Sequence, residues 1–265
     1  MRSLPLICLL FSALSATAQP DLVKPFMDCG VQGSTTIYDY KHKKWLFSDP
    51  ADAKIPSLPA STFKIINLLI ALETGVIKDE KEVIRWPGKT DTTFYGYRPE
   101  IYRDMTVREA FEVSAVWVFI ELAQRAGKEQ FRHYLKECGY GNSDLSEEGP
   151  DFWNFGPLAI SPVNQVEFLI KVHENKLPFS KRNIRILKKV MVTEQNDKYQ
   201  MRSKTGWSRL YGKDTGWWVG YLEKKDNVWF FATRISKLRS DVNPNFGNCR
   251  KEITRNILKQ LKAFD

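Results

Sequence analysis

The sequence predicts an α+β fold, in which an antiparallel sheet built from both chain ends flanks an inserted helical region. Near the amino terminus, residues 34–40 and 44–48 favour a pair of strands. Near the carboxyl terminus, residues 199–204, 216–223 and 228–235 favour three more strands that are separated by turns. Helical periodicity dominates the chain between these two groups.

The predicted elements have recognisable start and stop signals. A turn at residues 39–43 joins the first two strands, and Asp226-Asn227 marks a tight hairpin between the last two. Thr106 is a candidate N-cap and Gly139 a candidate helix terminator. The predicted helices are one that follows the prolines of residues 56–59 and carries Ser61, and others over residues 106–126, 128–138, 162–174, 181–192 and about 250–261.

Composition favours one domain that is preceded by an export signal. The chain has 265 residues, 43% of them hydrophobic, and shows no repeat or flexible linker, so we predict a single domain over residues 19–265. Arg2, the apolar residues 4–14 and the Ala16-Thr17-Ala18 cleavage pattern predict a signal peptide over residues 1–18. The apolar stretch is too short for a stable membrane anchor, so the sequence predicts a secreted, periplasmic protein.

Charge and histidine content narrow the choice of partners. The formal net charge is +9, but the basic residues are dispersed, which argues against a nucleic-acid partner. A positive field favours an anionic small molecule instead. The histidines are expected at the surface and form no metal-ligand pattern, so no metal site is predicted. They are His42, His133 and His173.

Three cysteines remain after removal of the predicted signal: Cys29, Cys138 and Cys249. An odd number in an exported protein requires at least one free thiol. We expect buried free thiols, with one disulfide as the open alternative.

Ser61-Thr62-Phe63-Lys64 places a serine and a lysine one helical turn apart at the start of an apolar run. On a helix these side chains share a face, so the hydroxyl and the amine are within reach of each other. A serine hydroxyl needs a base to become a nucleophile, and an apolar pocket lowers the pKa of a lysine toward the neutral amine. Taken alone, the pair is better explained by an N-cap serine followed by a solvated lysine.

Two later motifs favour the catalytic interpretation. Ser114-Ala115-Val116 and then Lys204-Thr205-Gly206 follow the first motif in the order that is typical of penicillin-recognising serine enzymes. Further segments make the chain resemble the class D β-lactamases, or oxacillinases. These segments are the nucleophile segment at residues 59–65, Tyr140-Gly141-Asn142, Phe152-Trp153, residues 158–162, Lys204-Thr205-Gly206-Trp207, residues 216–220 and Arg250.

The resemblance implies a β-lactamase/transpeptidase-like fold and hydrolysis of β-lactams through an ester on Ser61. It implies that Lys64, carbamylated by carbon dioxide to N6-carboxylysine, is the general base, and that Trp153 donates a hydrogen bond to the carbamate. Ser114 is then expected to pass a proton to the leaving nitrogen, and Lys204 to supply positive charge. The implied substrate-binding residues are Val116, Thr205, Gly206, Trp207 and Arg250. The implied partners are β-lactams, with carbon dioxide or bicarbonate as the added requirement and no metal.

Two other functions share these motifs: a penicillin sensor that is acylated without turnover, and a D,D-peptidase. Asn154 departs from the family pattern, which commonly has leucine after the tryptophan. A polar side chain at this position either admits water to the carbamate or hydrogen-bonds near it. Five aromatic residues either line the substrate cleft or pack in the core: Tyr95, Tyr97, Tyr102, Trp117 and Tyr211.

Overall fold

A computed structural model describes residues 20–265, so the predicted signal peptide lies outside the described part of the chain. The main sheet has six antiparallel strands in the order β2-β1-β8-β7-β6-β5, and β3 pairs with β4 in a separate ribbon. The strands are β1 (Gln32–Asp39), β2 (Lys44–Phe47), β3 (Val83–Ile84), β4 (Met105–Thr106), β5 (Val192–Gln195), β6 (Tyr199–Leu210), β7 (Lys213–Lys224) and β8 (Val228–Leu238).

Helices cover both faces of the main sheet. The helices are α1 (Lys24–Cys29), α2 (Lys64–Glu73), α3 (Thr92–Tyr95), α4 (Val107–Glu112), α5 (Val116–Ala126), α6 (Lys128–Cys138), α7 (Phe152–Phe155), α8 (Pro162–Glu174), α9 (Lys181–Val190) and α10 (Phe246–Gln260). Helix α8 packs on β1, β7 and β8 from one side, together with the helical region between β2 and β5. Helices α10 and α1 cover the other side.

The alternation of side chains along β7 builds two cores. Trp217 and Val219 point into the core of the helical region, whereas Trp218, between them, packs against α10. Phe230 and Phe231 of β8 divide between the two cores in the same way. A sheet that is buried on both faces carries apolar side chains at consecutive positions, which explains the run Trp217-Trp218-Val219.

The predicted fold class is confirmed, since strands from both chain ends form one antiparallel sheet around a helical middle. The predicted caps are also confirmed. Thr106 accepts a hydrogen bond from the Glu109 backbone N–H and starts α4, and Gly139 ends α6 in the left-handed conformation. Among residues 20–265, no helix is both long enough and apolar enough to cross a membrane.

Several predicted boundaries are wrong. The strand predicted over residues 199–204 continues to Leu210. The helix expected over residues 106–126 is broken between α4 and α5, where Ser114 adopts a left-handed φ of 59°. The helix expected to end at residue 192 ends at Val190, because the next residues turn to form the edge strand β5. The last helix starts at Phe246, one turn earlier than expected, because Phe246 packs in the core beneath β7 and β8.

The cysteine expectation is wrong for two of the three residues. Cys29 and Cys249 form a disulfide that joins α1 to α10, which was the open alternative. Folding brings the two chain ends together, and sequence separation gave no sign of this contact. Cys138 is a buried free thiol as expected, and burial raises its pKa to about 12.

The surface expectation fails for one histidine. His173 is half-buried and packs edge-on against the rings of Tyr40, Tyr221 and Phe230. Burial lowers the pKa of His173 and favours the neutral ring. His42 and His133 are exposed.

Candidate active site

Ser61 and Lys64 lie where a tight turn becomes a helix. Residues Ala60–Phe63 form a 3₁₀ turn that runs directly into α2, whose first residue is Lys64. This geometry puts both side chains on one face, and Lys64 Nζ donates a hydrogen bond of 2.8 Å to Ser61 Oγ. The solvated-lysine alternative is therefore not what the structure contains.

Lys64 is held in an apolar pocket. The side chain is 0% exposed, and its Nζ lies 5.3 Å from the centre of the Phe119 ring. Burial, with a smaller contribution from the charge of Arg98, lowers the pKa of Lys64 from 10.5 to about 7. Close to neutral pH, a large share of the amine is therefore unprotonated and able to accept a proton or react as a nucleophile.

The break between α4 and α5 aims Ser114 at the sheet. Lys204 Nζ donates to Ser114 Oγ at 3.0 Å and to its neighbour's carbonyl, Thr205 O, at 3.2 Å. Lys204 is buried, and this burial lowers its pKa, with the charge of Lys64 as the next cause. The second and third motifs thus meet in one hydrogen-bonded pair that bridges a helix terminus and β6.

Gly206 lets β6 pass close to the nucleophile turn. A Cβ at this position would lie 3.0 Å from Pro59 O and 3.1 Å from Thr62 Cγ2. Any side chain here would push the strand away from the turn that carries Ser61. The glycine of the third motif therefore sets the width of the gap between β6 and Ser61.

Arg250 reaches β6 from α10. Its Nη1 donates to Gly206 O at 2.5 Å, and its Nε is buried without a partner in the described part of the chain. Burial lowers the pKa of Arg250 to about 10, so the group remains a cation at neutral pH. Its guanidinium also lies over the ring of Trp207, 5.5 Å from the ring centre.

Trp153 and Asn154 come from the short helix α7. Trp153 is 0% exposed and stacks on Phe63 at 5.0 Å between ring centres, which ties it to the nucleophile turn. Within residues 20–265, neither the indole Nε1 of Trp153 nor the side-chain Nδ2 of Asn154 has a hydrogen-bond acceptor, and both atoms are buried. Unpaired buried donors are uncommon in folded proteins, so these two N–H groups indicate that the site can bind a hydrogen-bond acceptor.

These elements enclose a cleft of about 420 Å³. Seven of the predicted site residues line it, namely Ser61, Ser114, Val116, Thr205, Gly206, Trp207 and Arg250. The other three do not line this cleft, and they are the buried side chains Lys64, Trp153 and Lys204. Of the five aromatic residues considered, Tyr95, Tyr102 and Trp117 line the cleft, whereas Tyr97 and Tyr211 are largely exposed outside it.

The sequence analysis missed two cleft arginines. Arg98 and Arg209 line the cleft along with Arg250. Arg98 is partly held by Glu100 and by the carbonyl of Val113. Both missed residues lie outside the three motifs, in segments with no local signal for a site, and only the net positive charge of the chain pointed to them.

The described residues contain one group of potential metal ligands, formed by Cys29, Cys249 and Glu252. The two cysteines are joined in the disulfide, so they cannot act as thiolate ligands. The group also lies outside the residues that line the cleft.

A family model and curated relatives match most of this chain. The family model described as the penicillin binding protein transpeptidase domain matches residues 42–259. The β-lactamase OXA-48 of Klebsiella pneumoniae is 39% identical over 234 residues, which cover 88% of this chain and 84% of that protein. The β-lactamase OXA-10 of Pseudomonas aeruginosa is 42% identical over 230 residues, which cover 85% of each.

Solved structures of class D β-lactamases are similar to this chain in both sequence and fold. The class D β-lactamase of Sebaldella termitidis superimposes with a TM-score of 0.87 at 40% identity, covering 94% of this chain and 98% of that one. The class D β-lactamase YbXI of Nostoc gives a TM-score of 0.85 at 38% identity, covering 92% and 99%. On these similarities, and with its three ordered motifs meeting around one cleft, the chain belongs to the class D β-lactamase family.

Proposed function

We propose that this protein hydrolyses β-lactam antibiotics through an ester formed on Ser61, with Lys64 carbamylated at Nζ as the general base. The observation that carries this proposal is the 2.8 Å hydrogen bond between Ser61 Oγ and the fully buried amine of Lys64. The relatives OXA-48 and OXA-10 are β-lactamases, which supports the substrate class.

The residues around Lys64 fit a carbamate. The pocket lowers the pKa of the amine to about 7, and a neutral amine is what carbon dioxide requires. The buried indole Nε1 of Trp153 has no acceptor among the described residues, so it suits a carbamate oxygen. When present, this group supplies an anionic base at the end of the Lys64 side chain.

The proposed acylation uses the two hydrogen-bonded pairs of the site. Ser61 Oγ bonds to the β-lactam carbonyl carbon, and its proton leaves toward the head of Lys64. The ring C–N bond breaks, and the nitrogen takes a proton from Ser114 Oγ, which Lys204 Nζ replenishes across 3.0 Å. We assign the oxyanion hole to the backbone N–H groups of Ser61 and Trp207. Water then attacks the ester carbonyl carbon and gives one proton toward the head of Lys64. The bond between that carbon and Ser61 Oγ breaks, and Ser61 Oγ takes a proton back, which releases the ring-opened acid and restores the serine.

The β-lactam carboxylate is assigned to the β6 side of the cleft. Thr205 offers a hydroxyl there, and Arg250 offers a cation that one hydrogen bond already fixes to Gly206 O. A guanidinium suits this task because its planar donors pair with two carboxylate oxygens at once. Val116 and Trp207 complete the wall with apolar surface.

We also propose that residues 1–18 direct export to the periplasm and that residues 19–265 act as one domain. The Cys29–Cys249 disulfide supports an oxidising compartment, since disulfides rarely persist in the cytosol. Intact mass of the protein recovered from the periplasm tests this proposal. A chain that starts at Gln19 is expected, and one that retains residues 1–18 contradicts it.

Intact-mass spectrometry after brief exposure to penicillin tests the main function. The wild-type protein should gain one penicillin mass on Ser61, then lose it within the time course while ring-opened product accumulates in excess over protein. Ser61→Ala should never gain the mass. Ser208→Ala, at another serine that lines the cleft, should still be labelled.

The same experiment separates the alternatives. A mass adduct that persists with one equivalent of product identifies a penicillin sensor. Slow release together with cleavage of D-Ala-D-Ala peptides identifies a D,D-peptidase. An adduct that forms on Ser61→Ala contradicts the nucleophile assignment itself.

A further inference from the structure

Two consecutive residues of α7 carry buried N–H groups that have no acceptor within residues 20–265. They are the indole Nε1 of Trp153 and the amide Nδ2 of Asn154. A buried donor left unpaired is costly, and neighbouring unpaired donors are seldom retained without a partner. Because both groups donate and neither accepts, the partner that they share must be rich in acceptors.

The side-chain Nδ2 of Asn154 is buried, although the residue is only half-buried as a whole. Asn154 forms part of the cleft wall near Ser61 and Val116, and its backbone N–H donates to Asp151 O at 2.8 Å, which fixes its place on the turn. Solvent cannot reach its Nδ2, although the residue itself lines the cleft. A substrate in the open cleft therefore has no more access to this nitrogen than water has, and an acceptor for it has to be a buried group.

The buried group next to this part of the cleft is the head of Lys64, because its Nζ bonds to the Oγ of Ser61, which lines the same cleft as Asn154. Lys64 is wholly buried, and within residues 20–265 its Nζ makes one hydrogen bond, to Ser61 Oγ. Trp153, the neighbour of Asn154, stacks on Phe63, which directly precedes Lys64. Positive charges outnumber negative ones here, since Arg98 and Arg250 line the cleft with a single carboxylate, Glu112, among its described lining residues. Lys204 adds a further amine beside Ser114. An anion with more than one acceptor oxygen satisfies all of these donors.

We propose that Asn154 is a positioning residue that donates its side-chain N–H to one oxygen of the Lys64 carbamate, while Trp153 donates to the other. This inference rests on the proposed function, because it presupposes that Lys64 is carbamylated. The modification forms a bond between the lysine nitrogen and the carbon of carbon dioxide, moves one C=O electron pair onto oxygen, and releases one amine proton to solvent. Two donors then hold the two oxygens and stabilise the charge.

Under this proposal, Asn154 increases the affinity of Lys64 for carbon dioxide. The alternative, in which Asn154 admits water that promotes loss of the carbamate, predicts the opposite effect. Loss of one hydrogen bond to a charged acceptor predicts roughly a tenfold to hundredfold weaker apparent affinity for carbon dioxide. Asn154→Leu removes the donor with little change in volume. Asn154→Asp keeps the shape and replaces the donor by a carboxylate that repels the carbamate, so it should weaken affinity at least as much.

Carbon-13 NMR of the protein titrated with ¹³C-bicarbonate at pH 8 measures this affinity without reference to turnover. The wild-type protein should show a carbamate resonance that saturates at low bicarbonate, and Lys64→Met should show none. Asn154→Leu and Asn154→Asp should need about ten to a hundred times more bicarbonate for the same intensity. The matched control Asn248→Leu, on an exposed position of α10, should titrate like the wild type.

The outcomes are distinguishable. A wild-type protein without any carbamate resonance overturns both the carbamate and the role of Asn154. A wild-type resonance with unchanged affinity in Asn154→Leu overturns the role of Asn154 alone. Tighter affinity in Asn154→Leu also overturns it and shows that the polar side chain admits water. Thermal unfolding of each variant establishes that the titrated protein is folded.

Discussion

Replacing Lys64 by methionine should stabilise the fold while it destroys the site. The unfolded chain carries Lys64 with a pKa of 10.5, whereas burial in the folded protein lowers this pKa to about 7. That difference corresponds to roughly 5 kcal/mol of unfavourable free energy when the amine is fully charged. At pH 7, where about half of the buried amine is neutral, roughly 4 kcal/mol remains. Lys64→Met keeps an apolar stem in the pocket and removes this cost.

The effect must depend on pH with a fixed sign. Between about pH 7 and 10.5 the unfolded state binds more protons at residue 64 than the folded state does, so the wild type gains stability as the pH rises. Below pH 7 both states bind the proton, and the cost stays constant. The advantage of Lys64→Met should therefore shrink from up to about 4 kcal/mol at pH 7 to about 1 kcal/mol at pH 10.

Urea unfolding of both proteins at pH 7 and pH 10 measures the difference. Buffers must be free of bicarbonate, because carbon dioxide that binds only the folded wild type would stabilise it by mass action. Lys78→Met, at an exposed lysine, serves as the matched control and should change the free energy of unfolding by less than about 0.5 kcal/mol at either pH. A variant that is less stable at pH 7, or equally more stable at both pH values, refutes the reasoning.

Three more predictions test other parts of the molecule. Cys29→Ser/Cys249→Ser opens a loop of sequence separation 220 and should lower the free energy of unfolding by about 5 kcal/mol, which calorimetry should record as a Tm loss of roughly 10–20 °C. An unchanged Tm contradicts this prediction. Gly206→Val should reduce kcat/KM for penicillin far more than it reduces Tm, because its side chain meets Pro59 O; equal kcat/KM would show that the gap is not set by this residue. Trp153→Phe keeps the ring stack and loses the N–H, so activity at low bicarbonate should fall and high bicarbonate should restore it; turnover that is indifferent to bicarbonate contradicts the assigned donor.

Most of the fold could be predicted from local patterns in the sequence. The hairpin between β7 and β8, the Thr106 cap and the Gly139 terminator each depend on residues within a few positions, and all are present in the structure. The three motifs also depend on short segments, so the set that lines or backs the cleft could be predicted from residue type and order.

Features that depend on contacts between distant segments could not be predicted. Ser114 takes its left-handed conformation in a segment whose periodicity reads as continuous helix, and its side chain meets Lys204 across 90 positions of sequence. The disulfide joins positions 220 residues apart. Arg98 lines the cleft because the segment between β3 and β4 folds against the cleft. The residues next to Arg98 in the sequence do not predict this contact.

The buried cations of the site share one electrostatic effect. Lys64, Lys204 and Arg250 lie close together, and burial lowers the pKa of each. Glu112 is the one carboxylate among the described residues that line the cleft. Such a site is under-neutralised, so the loss of a proton from one of its buried lysines reduces the repulsion among these cations. The same excess of positive charge makes an anion favourable at two places, beside Lys64 and beside Arg250. A fold that gives up stability to bury these cations thereby prepares both the neutral amine and the binding of an anionic substrate.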